Sequence, residues 1–178
     1  MTPEAEAGWR LKAREDLLSF TRWMFRARKG AKWELAAHHH LLSAALMRVY
    51  AGQTKRLIIN IPPRYSKTEF VENFIAWTLG QYPDSEFIYT SYSARLAAKS
   101  SWDCREIASH PEYRAIFPHV RLRDDSAAKD EWRTTAGGLV YAAGSGGTIT
   151  GYGAGKMRSG FGGAIIVDDP MKPEDAYS

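Results

Sequence analysis

Two short apolar runs constrain this chain most: "RLIINIP" at 56–62 and "AIIVDDP" at 164–170. Each is rich in β-branched residues and nearly unbroken by polar ones, the pattern of a strand buried on both faces of a parallel sheet. A third run, "SEFIYTSY" at 85–92, lies between them. Helical spacing separates the first two strands, with Phe70, Phe74, Trp77 and Thr78 recurring in "KTEFVENFIAWTLGQYP" and with Gly80 and Pro83 expected to close that helix. A long helix is predicted from about Ala94 to Ser109, and a short helix or turn in "HPEYRAIFP". Strand and helix alternating in this way predict right-handed crossovers and a parallel α/β sheet.

Before the first strand, Leu17, Leu18, Phe20, Met24 and Phe25 recur at helical spacing beside Arg14, Arg22, Arg26, Arg28 and Lys29, which predicts an amphipathic helix with a basic flank. A second helix is predicted through "HHHLLSAALMRVYAG", with Leu42, Ala45, Leu46 and Val49 on one face and Gly52 as its stop. After the long helix, "DEWRTTAGGLVYAAG" reads as a hairpin turning at Gly137-Gly138. The glycine-rich "GSGGTITGYGAGKMRSGFGG" that follows reads as a loop. Residues 1–52 thus form a helical lead-in, and 53–178 an α/β core.

Composition narrows the setting. At 178 residues and 44% hydrophobic content a single buried core is attainable. The net charge of +4, from 24 basic and 20 acidic residues, suits a polyanionic partner. One cysteine, Cys104, excludes an intrachain disulfide and reads as a buried thiol, which fits a reducing compartment. No run approaches the roughly 18 apolar residues of a membrane span, and the acidic N-terminus lacks the apolar stretch of a signal peptide, so a cytoplasmic location is expected.

The chemistry gathers at two strand ends. A phosphate cradle needs a buried strand, a tight turn of exposed N–H groups, a lysine for the β- and γ-phosphates and a hydroxyl for magnesium. In "IINIPPRYSKTEF" the strand ends at Ile61, the loop is Pro62-Pro63-Arg64-Tyr65-Ser66, and Lys67 and Thr68 open the helix. The pattern G-x-x-x-x-G-K-[ST] would place glycines at Ile61 and Ser66; serine still allows a bend, though a positive φ would cost it more than glycine. An ordinary strand-to-helix turn with a solvated lysine gives the same residues. At the end of "AIIVDDP", Asp168 is the candidate metal ligand and Asp169 the candidate base, against the alternative of a turn with a capping aspartate. Together the two ends point to nucleotide hydrolysis.

The chain resembles the ATPase domain of the large terminase subunit of tailed bacteriophages. The likeness is carried by "RLIINIPPRYSKTE", "YTSYSARLAAK", "HPEYRAIFP", "WRTTAGGLVYAAGSGGTITGYGAG" and "GGAIIVDDPMKPEDA", over most of residues 33–178. The resemblance implies a P-loop NTPase fold, a three-layer sandwich with a mostly parallel central sheet behind N-terminal helices. It implies ATP with Mg2+ as substrate and double-stranded DNA as the polymer moved into a procapsid. A ring of like subunits, a small terminase subunit and a portal protein are the implied partners, in the bacterial host cytoplasm and away from membranes.

By position, the resemblance assigns phosphate binding to Pro63, Arg64, Tyr65, Ser66, Lys67 and Thr68, and metal binding to Thr68 and Asp168. Asp169 takes the catalytic-acid position, where many relatives carry glutamate. Arg64 sits where terminases carry a loop arginine able to meet the γ-phosphate, with Arg158 or Lys156 as candidates to reach a neighbouring subunit's ATP; relatives often have arginine at the place of Tyr152. One of the "AHHH" histidines at 37–40, His39 in the assignment, is expected to contact adenine, or else to cap or pack the helix; adjacent histidines on a helix do not converge on one zinc ion. No nuclease segment follows Asp168 in this sequence, so it is read as a portion of a larger chain or as a prophage remnant without activity. A helicase-like ATPase is the remaining alternative.

Overall fold

The structure, a computed structural model, describes residues 2–147 and 149–171. The closing stretch "KPEDA" of the resemblance and Thr148 in the glycine-rich run lie outside the described residues.

The N-terminal region holds two helices where one was expected, α1 (Pro3–Glu15) and α2 (Leu17–Lys29). Asp16 makes the break, ending α1 with extended backbone and capping α2 through a 2.7 Å bond from the Ser19 N–H to its carboxylate. Gly30, at φ 68°, ends α2. α3 (Ala37–Tyr50) buries Leu42 and Leu46 as its spacing predicts.

α4 (Lys67–Gln81) is buried on nearly all sides, the condition of a helix enclosed between layers. Gly80 lies within α4 and does not terminate it: a Cβ there would come within 2.4 Å of the Phe117 ring, so the glycine serves close packing. α5 (Ala94–Ser109) and α6 (Pro111–Ile116) match the predicted helices. Arg10 of α1 holds Glu112 of α6 at 2.9 and 3.1 Å, and the Trp23 indole donates to the same carboxylate at 3.0 Å, tying the first two helices to the rest of the core.

The sheet has five strands: β1 (Glu86–Ser91), β2 (Leu122–Ala127), β3 (Glu131–Thr134), β4 (Leu139–Gly144) and β5 (Gly163–Val167), in the order β2-β3-β4-β1-β5. β4, β1 and β5 run parallel, while β2, β3 and β4 are antiparallel, so the sheet is mixed. β3 and β4 form the predicted hairpin, with Gly137 at φ 88° in its turn.

The expected first strand is corrected. Among the described residues, 56–62 join no ladder of the sheet; Leu57, Ile59 and Ile61 face the core, whereas Ile58 is 93% exposed. The alternation is that of extended chain, but the outer edge of β5 has no neighbouring strand among the described residues. Without that partner the run is covered on one side only.

The layering also differs from the three-layer expectation. Phe87, Tyr89, Val140, Ala142, Ala164 and Ile166 share the sheet face that the helices cover. The link from β4 to β5 contains no helix among the described residues, and on the opposite face Tyr152 of that link stacks on Tyr141 with ring centres 3.6 Å apart. A glycine-rich chain segment stands there instead of a helical layer, and Ile165 and Val167 remain more than half exposed.

Candidate active site

Pro62 and Pro63 bring no N–H groups, so the chain before α4 cannot continue a ladder or start a helix early. It turns through Arg64 at φ 67° and Ser66 at φ 64°. The Ser66 side chain makes no cap, and the first α4 amide with a main-chain partner is that of Phe70, bonded to the Ser66 carbonyl at 3.0 Å. The amides of Lys67, Thr68 and Glu69 thus have no main-chain acceptor among the described residues. They form, with the helix dipole, a place where an anion is favoured.

The second half of the site hangs on β5. The Asp168 N–H bonds to the Thr90 carbonyl at 2.8 Å and the Tyr92 N–H to the Asp169 carbonyl at 3.0 Å, which holds both acids at the carboxyl ends of β1 and β5. Asp169 sits at φ 46°. Arg64, Ser66 and Asp169 are the non-glycine residues with positive φ among the described residues, and all belong to this site. Such backbone strain is held in place by surrounding structure and gathers where geometry matters for function.

The two halves meet. The Thr68 hydroxyl donates to Asp168 Oδ2 at 3.2 Å, and Lys67 Nζ lies 3.2 Å from Asp169 Oδ1 and 3.7 Å from Asp168 Oδ1. Tyr89 of β1 adds a contact with no motif behind it, its phenol donating to Asp168 Oδ2 at 2.8 Å. One lysine thus faces two carboxylates. An incoming phosphate would meet net negative charge unless a cation came with it, and the Thr68 hydroxyl with the Asp168 carboxylate is a hard-oxygen pair that suits Mg2+, which keeps several waters and few protein ligands. Among the described residues no group of three or more His, Cys, Asp or Glu side chains is placed to hold a metal, so the histidine run makes no zinc site.

The loop is braced from behind. Arg28 of α2 bonds Glu69 at 2.9 Å, and Asn73 bonds the same carboxylate at 2.9 Å, fixing the first turn of α4. The His38 ring lies 5.1 Å from the Tyr65 ring, so the start of α3 reaches the loop through His38. His39 is 5% exposed, and its Nδ1 accepts from the Trp33 indole at 3.3 Å and from the Ala36 N–H at 3.0 Å. Burial, then the neighbouring histidines, lowers its pKa, disfavouring the charged ring. The contacts of His39 are those of a capping and packing residue.

The remaining sequence candidates fall in two places. Pro63, Arg64 and Tyr65 are exposed in the loop, and Arg64 has no side-chain partner among the described residues. Arg158 is paired with Asp84 at 2.8 Å through Nε and lies over the Tyr82 ring, while Lys156 is paired with Glu86. Both pairs sit at the N-terminal end of β1, opposite the acids. The Tyr152 hydroxyl donates to Glu131 at 2.7 Å. Cys104 is fully buried, and burial raises its thiol pKa, so it is inert. No helix among the described residues is long and apolar enough to cross a membrane.

The sequence reading missed Tyr89 and Glu72. Tyr89 alternates inward in "EFIYTS" two residues before that strand ends, which is the only signal it gives. Glu72 is spaced as an inward position on α4, but a carboxyl there carries no recognisable pattern. Comparison with protein families, with curated proteins and with solved structures finds no match for the chain.

Proposed function

We propose that this chain is the ATPase domain of a phage large terminase, of P-loop NTPase type, which couples hydrolysis of ATP–Mg2+ to packaging of double-stranded DNA. The observation that carries this reading is the convergence of Lys67 and Thr68, at the mouth of a helix, on Asp168 and Asp169, about a hundred residues further along. The α4 amides and Lys67 would bind the β- and γ-phosphates, and Thr68 and Asp168 would hold Mg2+, which supplies charge neutralisation at the transferring phosphoryl group. Lys67 Nζ now rests on Asp169, so phosphate entry draws the ammonium away and frees that carboxylate to orient and deprotonate water. Arg64, exposed in the loop and without a side-chain partner among the described residues, would meet charge developing on the γ-phosphate.

DNA as the polymer is supported by the exposed Arg26, Lys29 and Lys32 at the end of α2, which Arg28 links directly to the first turn of α4. A subunit ring, a small terminase subunit, a portal protein and the bacterial host cytoplasm belong to the same proposal. The test is steady-state ATP hydrolysis by the chain and by Lys67→Ala, with and without duplex DNA. Background rates in both would overturn the ATPase reading. A second reading, nucleotide binding without turnover, is favoured by the unpaired run at 56–62, which leaves the loop without a strand in the sheet beneath it. Tight ATP binding with no phosphate release would select it.

A further inference from the structure

We infer that Tyr89 is the positioning residue for the Asp168 carboxylate, an inference that rests on the nucleotide reading only where magnesium is concerned. Asp168 Oδ2 accepts two hydrogen bonds, from Thr68 at 3.2 Å and from the Tyr89 phenol at 2.8 Å. The Thr68 hydroxyl is the one that a metal ion would redirect, because it is itself a ligand in that arrangement. The Tyr89 bond is independent of the metal and is the shorter of the two.

Tyr89 is built for such a role. It is 1% exposed, its ring packs within the main core, and β1 is hydrogen bonded on both sides by β4 and β5, so the phenol has little freedom. Its hydroxyl is also within reach of Ser100 on α5, and Ser100 in turn of the buried Glu72 on α4. The Tyr89 bond occupies Oδ2 and leaves Oδ1 to face Lys67 and the open site. Fixing Oδ2 in this way selects which oxygen of Asp168 points to a metal, as outer hydrogen bonds do for ligating carboxylates elsewhere.

The test is Tyr89→Phe, which removes one oxygen and keeps the ring that fills the core. In a 13C-aspartate-labelled sample, the side-chain carboxyl resonance of Asp168, assigned with Asp168→Asn, is expected to move or broaden in Tyr89→Phe while those of distant aspartates stay in place. ATP affinity without metal is expected to stay within about twofold, whereas the Mg2+ concentration for half-maximal ATP binding rises about fivefold or more. An unmoved Asp168 resonance overturns the inference, and so does an unchanged Mg2+ requirement in a chain that binds ATP. Failure of the unaltered chain to bind ATP would sink the nucleotide reading alone, and the carboxyl resonance would then decide the role of Tyr89. Should Tyr89→Phe not fold, Ser100→Ala replaces it in the same measurement: a change at the serine beside the phenol is expected to move the Asp168 resonance, and no movement overturns the inference.

Discussion

Thr68 Oγ1 and Asp168 Oδ2 lie 3.2 Å apart across a hundred residues of chain, joining the mouth of α4 to the tip of β5. In the candidate site, Lys67, Asp169 and Tyr89 gather around that contact. Its parts differ in what disturbs them, which sets the following expectations.

Lys67→Ala removes the one cation that faces both acids. ATP affinity is expected to fall at least about 100-fold, consistent with loss of a charge-assisted phosphate contact in a partly enclosed site. Calorimetric titration with ATP–Mg2+ checks it. The fold should tolerate the change, because the exposed ion pair with Asp169 contributes roughly 0–1 kcal/mol.

Ser66→Gly should stabilise the chain. Ser66 holds φ 64°, where a Cβ is strained and glycine is not. The gain is expected to be about 0.5–1 kcal/mol, offset in part by the greater freedom of glycine in the unfolded chain. Thermal unfolding followed by circular dichroism measures it, and a lower midpoint would show that serine makes a compensating contact.

Glu72→Gln should flatten the pH dependence of stability. Burial, then the charges of Asp103 and Glu69, pushes the Glu72 carboxyl up to about 8. An acid with a raised folded pKa binds more protons folded than unfolded, so its stabilising effect is complete below the unfolded value near 4.3 and is lost as pH climbs toward 8. Between pH 5 and 8.5 the native chain is expected to lose on the order of 2–4 kcal/mol more than the glutamine variant. Denaturant midpoints at the two pH values read the difference directly.

Gly163→Ala should detach β5. Gly163 has φ 132°, and a Cβ built there would fall 1.8 Å from the Glu86 carbonyl oxygen, a backbone atom that cannot move aside without breaking the β1–β5 ladder. A loss of at least about 2 kcal/mol is expected. Hydrogen exchange should report it first at β5, and unchanged protection there would mean that the ladder can shift register.

How far the sequence carried the reading follows from what each signal encodes. α4, α5, the hairpin and β5 were legible because their periodicity, turn glycines and apolar runs are local properties. The run at 56–62 has the composition of a buried strand, yet strand pairing is decided by a neighbour, and among the described residues no strand lies along the outer edge of β5 to supply one. β2 has the opposite character: "LRDDSA" is too polar to read as a strand and is recruited by antiparallel pairing with β3. α1 carries local signals, a capping Thr2 and Pro3 in its first turn, but its few apolar positions give no helical stripe to read. Of the site, the motif residues could be named in advance, but the phenol that meets Asp168 could not, since its role depends on the register between β1 and β5.

Among the described residues β5 is paired along one edge only, which makes it a cantilever. Asp168 and Asp169 ride at its carboxyl end, anchored to β1 by main-chain bonds and steadied sideways by Lys67, Thr68 and Tyr89. A displacement of α4 along its axis would therefore reach the acids directly, through Lys67 and Thr68. β1, hydrogen bonded along both edges by β4 and β5, is the wall against which the loop and the acids are set.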